Sequence, residues 1–271
     1  MKRRILMMLL ALQTVLFSLS AQAGVDHSMW DELLKKHVVS LRGGQVTQVD
    51  YAGFAADRRQ LKQYLTLTSS VTRVDFDHWS KPEQMAFLIN AYNAWTVELI
   101  LTAYPDVASI KELGSLLQSP WKKRFIPLLG ETRSLDDLEH GLIRGSGRYN
   151  NPHIHFAVNC ASIGCPALRA EAFIAQRLDA QLEDATKAFL SDKTRNRLEV
   201  EGFKVSSIFK WYRDDFEKGW RGAANLPQFF ALYSQSFGLD SKTAISLASG
   251  NVAIEFLDYD WRLNTKAGRK P

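Results

Sequence analysis

Cysteine is scarce in this chain of 271 residues: there are two, beside six histidines. That count excludes a disulfide-dense scaffold, and the pair lacks the Cys-x2-Cys spacing of a structural zinc knuckle. Internal repeats, charge blocks and Pro/Ser/Gly-rich linkers are also missing, so nothing divides the chain into several units. Long apolar runs are confined to the N-terminus and to a stretch after Pro82, where Asn90, Asn93 and Glu98 exclude a membrane span. A strong excess of positive charge is missing as well. Lys2, Arg3 and Arg4 carry three of the net +5 charges, and the +2 left without them gives no support for nucleic-acid or membrane steering.

What stands at the N-terminus has the layout of an export signal. Lys2, Arg3 and Arg4 form a basic start, Ile5 to Phe17 an apolar stretch, and Ala21-Gln22-Ala23 a small-residue cleavage site. Residues 1–23 are therefore expected to be removed, leaving a soluble periplasmic or secreted protein that begins at Gly24. The apolar stretch is short for a span, and no cysteine follows the cleavage site to anchor a lipid. No stable membrane insertion and no nucleic-acid partner are expected. With 46% hydrophobic residues, 24–271 is read as one domain.

Periodicity predicts helices over 28–42, roughly 52–65, Pro82–Tyr104, Ser134–Arg144, about 169–190, 208–218, 226–237 and 241–248. Strands are predicted over 154–159, 197–201, 203–206 and 251–257. The clearest element starts at Pro82, where Ser80 and Glu83 have capping-box spacing and Pro105 ends the run. It is apolar on nearly every side, so it is expected at the centre of the core. Helices with few, short strands imply an α+β fold, helix-rich, with a small and mainly antiparallel sheet.

The chemistry is concentrated in His153-Ile-His-Phe-Ala-Val-Asn-Cys160-Ala-Ser-Ile-Gly-Cys165, which holds both cysteines and two histidines. Three readings fit. Cys160, just past a predicted strand, could be a thiolate nucleophile with His155 or His140 as its base. Cys160 and Cys165 could instead form a disulfide closing a short loop, a modest staple or a redox switch. Third, His153 and His155, two apart on a strand and so on one face, could join the thiolates around zinc or copper.

Two polar residues fall on apolar helix faces. Glu139 shares a stripe with Leu138 and Leu142, and is read either as a structural ion pair with Arg144 or Arg148 or as a buried carboxylate that orients a histidine or acts as a general acid/base. Asn93 lies between Ile89 and Ile100, so its amide is expected to hold a loop backbone or to orient an imidazole. Trp211, Tyr212, Asp214 and Asp215 are read as packing or as a cleft wall.

Five blocks together resemble the domain of unknown function DUF547. They are Ala86-Phe-Leu-Ile-Asn-Ala-Tyr-Asn-Ala-Trp95, Ser134-Leu-Asp-Asp-Leu-Glu-His-Gly-Leu-Ile-Arg144, His155-Phe-Ala-Val-Asn-Cys-Ala-Ser162, Ser207-Ile-Phe-Lys-Trp-Tyr212 with Asp215-Phe216, and Tyr259-Asp-Trp-Arg-Leu-Asn264. The resemblance implies no established reaction. It implies that cysteine is usual at the position of Cys160, whereas serine can replace Cys165. That points away from an obligatory disulfide or a four-ligand metal site. It also groups Asn93, Glu139 and His140 with Cys160 in one site.

The first functional expectation is a papain- or transglutaminase-like cysteine hydrolase or acyl/amide transferase, without metal or cofactor, acting on a small-molecule or peptide substrate. Cys160 is the nucleophile, His155 or His140 the base, and Glu139 or Asn93 the orienting group. The order of these residues departs from the Cys-then-His order of those enzymes. The alternative is a non-enzymatic periplasmic binding or assembly factor with a structural or metal-binding His/Cys cluster.

Overall fold

Helix α5, Lys81–Leu101, is the axis around which the first half of the chain packs. Ser80 caps it reciprocally with Glu83, and every residue from Gln84 to Leu101 is buried, which no amphipathic surface helix would show. The computed structural model describes residues 24–266 other than 116, 201 and 251; the expected export signal at 1–23 lies outside the described residues. No helix among the described residues is long and apolar enough to cross a membrane.

Packed around α5 are α1 (Ser28–His37), α2 (Tyr51–Ala56), α3 (Arg58–Ser69) and α4 (Arg73–His78). Glu98, buried on α5, is held by Arg58 at 2.6 Å and Lys62 at 2.7 Å, both on α3. The helix expected over 28–42 ends at His37. The chain then turns into a hairpin, β1 (Val38–Leu41) with β2 (Val46–Val49), around Gly43 and Gly44, which have φ of 65° and 93°. The helix expected over 52–65 is α2 and α3, broken at Asp57.

A second antiparallel pair, β3 (Ile126–Leu128) with β4 (Glu131–Arg133), leads to Ser134. There Ser134 and Asp137 cap one another, and Asp137–Arg144 winds as a π-helix. The segment expected as a strand over 154–159 begins as a 3-10 turn, Pro152–Phe156. The helix expected over 169–190 is also shorter: α6 is Leu178–Ser191, preceded by extended chain and one 3-10 turn.

The last part of the chain builds its own aromatic core. Strand β5 (Arg197–Glu199) pairs antiparallel with β6 (Gly202–Ser206), and β6 pairs parallel with β7 (Ile254–Leu257). Helices α7 (Ile208–Trp211), α8 (Arg213–Phe216), α9 (Leu226–Leu232) and α10 (Ser241–Ala248) close over this sheet. Phe156, Phe189, Phe203, Phe209, Phe216, Phe229 and Phe230 fill the space between them. The architecture is helix-rich α+β, with three small, mainly antiparallel sheets among the described residues where one was expected. Segment 152–166 runs between the two cores: Ile154, Ala157 and Val158 pack into the α5 cluster and Phe156 into the aromatic one.

Candidate functional site

The loop that carries Cys160 is held by amides on every side. From α5, Asn93 Nδ2 donates to the Ala157 carbonyl at 2.9 Å, and Asn93 Oδ1 accepts from Asn159 N–H at 2.8 Å. Asn93 thus holds a loop backbone, one of the two roles its position suggests, and it does not line the cavity. Asn159 continues the scaffold, donating to Pro166 O at 2.7 Å and accepting from Ala161 N–H at 2.9 Å. The final segment binds the other edge: Ile163 N–H to Arg262 O at 2.8 Å, Gly164 N–H to Asp260 O at 2.8 Å and Asn264 N–H to Ala161 O at 3.1 Å. These bonds hold Ala161 at φ 60°, a left-handed conformation that costs a non-glycine residue roughly 1–2 kcal/mol. The turn presents Cys160, half-buried, at the wall of a cavity of about 180 Å³.

Cys160 and Cys165 are joined as a disulfide with Cα atoms 6.1 Å apart. Tyr259 Oη lies 3.2 Å from each sulfur and 3.2 Å from Ser162 Oγ, so one phenol covers the bond. In this oxidised form Cys160 has no thiol, and the nucleophile reading concerns the reduced form.

His155 and Glu139 line the same cavity. The His155 ring is buried and stacked on Tyr212, with centroids 3.9 Å apart. Its Nε2 is 2.8 Å from Asp215 Oδ2, and its Nδ1 has no hydrogen-bond partner. Burial pushes the imidazole down from its usual value, against the raising influence of the Asp215 bond and the Glu139 charge. Burial raises Asp215, but bonds from His155, Arg144 and Lys218 outweigh it and hold the carboxyl well below the usual carboxylate range. A neutral imidazole beside an ionised carboxylate must donate its proton there, which leaves Nδ1 as a free acceptor.

Glu139 sits in the π-helix and is 5% exposed, with Oε1 unpartnered. Neither Arg144 nor Arg148 pairs with it. Arg144 binds Asp215 and His140 Nδ1, the latter at 2.6 Å, and Arg148 binds Asp77 at 2.7 Å. Burial, and secondarily the charge of Glu139, push the phenols of Tyr92 and Tyr212 far up, so both stay protonated. His140 is half exposed at the rim, 3.8 Å from Asp136.

His153 is elsewhere. On a 3-10 turn, residues two apart diverge by about 240°, whereas on a strand they share a face. The ring of His153 bonds Tyr233 Oη at 2.7 Å, and Tyr233 in turn donates to Glu183 at 3.1 Å. The shared face expected for His153 and His155 is therefore absent, and with it the joint ligation of a metal. No group of three or more His, Cys, Asp or Glu among the described residues is arranged to hold a metal ion.

Four of the five expected residues, Cys160, His155, His140 and Glu139, thus meet at one cavity, and the fifth, Asn93, supports its wall. The sequence reading missed Asp215, which grips His155, and Tyr259, which covers the disulfide. Asp215 belongs to the aromatic-acidic cluster read as packing or a cleft wall, and of that cluster Trp211 and Tyr212 do line the cavity. Both lie in blocks that carried the family resemblance, which was the available signal.

Fold and site together define a helix-rich α+β protein with a cysteine- and histidine-lined cavity between two cores. Residues 76–190 match the family model DUF547, described as a protein of unknown function. No curated protein and no solved structure matches it.

Proposed function

We propose that this is an exported cysteine-dependent hydrolase or acyl/amide transferase in which Cys160 is the nucleophile, His155 the base and Asp215 the group that orients it. The observation that carries the reading is His155 itself: one ring nitrogen is bound to Asp215 and the other is free, in the cavity that Cys160 lines. The analogy is to papain- and transglutaminase-like enzymes, from residue types.

A dithiol reductant opens Cys160–Cys165 by exchange and is itself oxidised, leaving two thiols. His155 Nδ1 then takes the Cys160 proton as Sγ attacks an acyl carbonyl. The new C–S bond replaces a C–N or C–O bond, and the proton passes to the departing amine or alcohol. Water or an amine next attacks the thioester, and the C–S bond breaks. The attacking group's proton returns through His155 to sulfur. Tyr259 and Ser162, hydrogen-bonded at Cys160 Sγ, are donors to the thiolate between these steps.

The test is acyl transfer from p-nitrophenyl acetate to protein that has been reduced and desalted. The expected result is a burst of about one nitrophenolate per chain with acetyl on Cys160. Cys165→Ser keeps the burst, and Cys160→Ser or unreduced protein loses it. Equal release from Cys160→Ser overturns the reading.

The disulfide supports a second reading, a non-enzymatic binding or assembly factor in which Cys160–Cys165 is a permanent staple. A bond that survives mild reductant in the native protein, with no burst, is the result expected from it. Export is tested separately. Intact mass of periplasmic material should begin at Gly24, and a retained N-terminus in the cytosol would reject it.

A further inference from the structure

The polar groups left without partners in this cavity are both acceptors. Glu139 Oε1 is buried and accepts nothing. His155 Nδ1 is buried and accepts nothing, its proton being on Nε2 toward Asp215. Two buried acceptors with no donor cost free energy unless something with hydrogen on two sides lies between them. Charge points the same way. Among the described residues lining the cavity are two carboxylates, Asp136 and Glu139, and no lysine or arginine. Arg144, 4.8 Å from the Tyr212 ring centroid, is already bound to Asp215.

The walls supply the third observation. Tyr92, Tyr212, Tyr259, Trp121, Trp211 and Trp261 all line the cavity. Trp211 is 46% exposed and stacks on Trp261 with centroids 5.7 Å apart, which forms an open aromatic platform at the mouth. Aromatic faces attract a desolvated cation electrostatically, and one cation already uses this platform: Lys111 Nζ lies 4.0 Å from the Trp261 ring centroid.

We propose that the cavity binds a primary alkylammonium group, as at the end of a lysine-like side chain or a diamine, with its N–H bonds shared between Glu139 and His155 and its alkyl stem against the aromatic wall. An anion would meet two carboxylates and no lysine or arginine to offset them. A neutral alcohol carries one proton for two acceptors. A quaternary ammonium suits the aromatic wall but leaves both acceptors empty. The proposal refines the acyl-transfer reading by naming the amine side of the reaction, as the group that accepts the acyl chain or leaves with the proton from His155. Binding itself requires no thiol.

The experiment is calorimetry on the full, oxidised chain, which has no Cys160 thiol, with four probes: n-butylammonium, 1-pentanol, butyrate and tetramethylammonium. The first should bind at least tenfold more tightly than each of the others. Glu139→Gln should weaken it at least tenfold while leaving pentanol unchanged. Equal affinity for pentanol or butyrate overturns the proposal, and equal affinity for tetramethylammonium overturns the paired-acceptor geometry. The probe comparison on the unaltered protein decides the matter even if Glu139→Gln does not fold. A nitrophenolate burst without ammonium preference would sink this inference and leave the proposed function standing. Ammonium preference without a burst would do the reverse.

Discussion

Tyr259 packs against Gly164 so closely that a methyl group added at Gly164 would lie 2.9 Å from three of its ring carbons. No side chain fits there, because real Cβ contacts do not approach that far. The glycine allows the Tyr259 phenol to reach both sulfurs.

Gly164→Ala should therefore displace the Tyr259 ring. A cost of about 1–3 kcal/mol is expected from overpacking. Cys160 in reduced protein should alkylate at a changed rate, because its phenol donor has moved. Unchanged Tm and unchanged iodoacetamide kinetics would contradict the contact.

Asn93→Leu should be more damaging than its exchange of an amide for a hydrophobe suggests. It leaves the Ala157 carbonyl and the Asn159 N–H buried without a partner, at roughly 1–3 kcal/mol each. Leu88→Ala, in the same fully buried helix, should cost about 2–5 kcal/mol by leaving a cavity. Denaturation midpoints measure both, and values like those of the unaltered protein would remove α5 from the centre of the fold.

Asp215→Asn should leave most of the cavity in place and still suppress the thiol chemistry. The amide can donate to His155 Nε2 and so favour the wrong tautomer, with a loss of about 10²–10⁴ in acylation rate. The pH profile of acylation should shift along with the rate. A variant that lost only stability, with an unchanged profile, would show that Asp215 does not act through His155.

Acid should destabilise the protein through two histidines outside the site. Burial lowers His27 and His153 from 6.5 to about 4 each. Between those values the unfolded chain binds protons that the folded chain excludes, so stability is complete above about pH 6.5. It is lost as pH falls toward 4, by up to about 3 kcal/mol per ring. Unfolding free energies from pH 4 to 7 should show this slope, and His153→Gln should flatten it. A flat profile in the unaltered protein would refute the burial of both rings.

Helix α5 was legible in the sequence because its signals are local: Ser80 and Glu83 cap, Pro82 starts, and no polar face interrupts. Glu139 was legible for the same reason, as one carboxylate on an otherwise apolar stripe. The alternation of Ile154, Phe156 and Val158 misled because period two indicates a strand only when one face meets water. Here every residue from Pro152 to Asn159 is buried, since the segment passes between two cores. Asp215 could not be recognised locally. Beside Trp211, Tyr212 and Asp214 it reads as part of a packed or cleft-wall cluster, and its partner His155 is 60 positions away.

The passage of 152–166 between the two cores makes the cavity a joint property of distant stretches of chain. A fragment ending at residue 190 would retain Cys160, His155 and Glu139, every cysteine and the whole family match. It would lack the carboxylate that sets the imidazole tautomer, the phenol over the sulfurs and the outer aromatic platform. The boundary of recognisable sequence is thus not a boundary of competence. Residues beyond it complete the cavity, and a search for activity has to begin with the longer polypeptide.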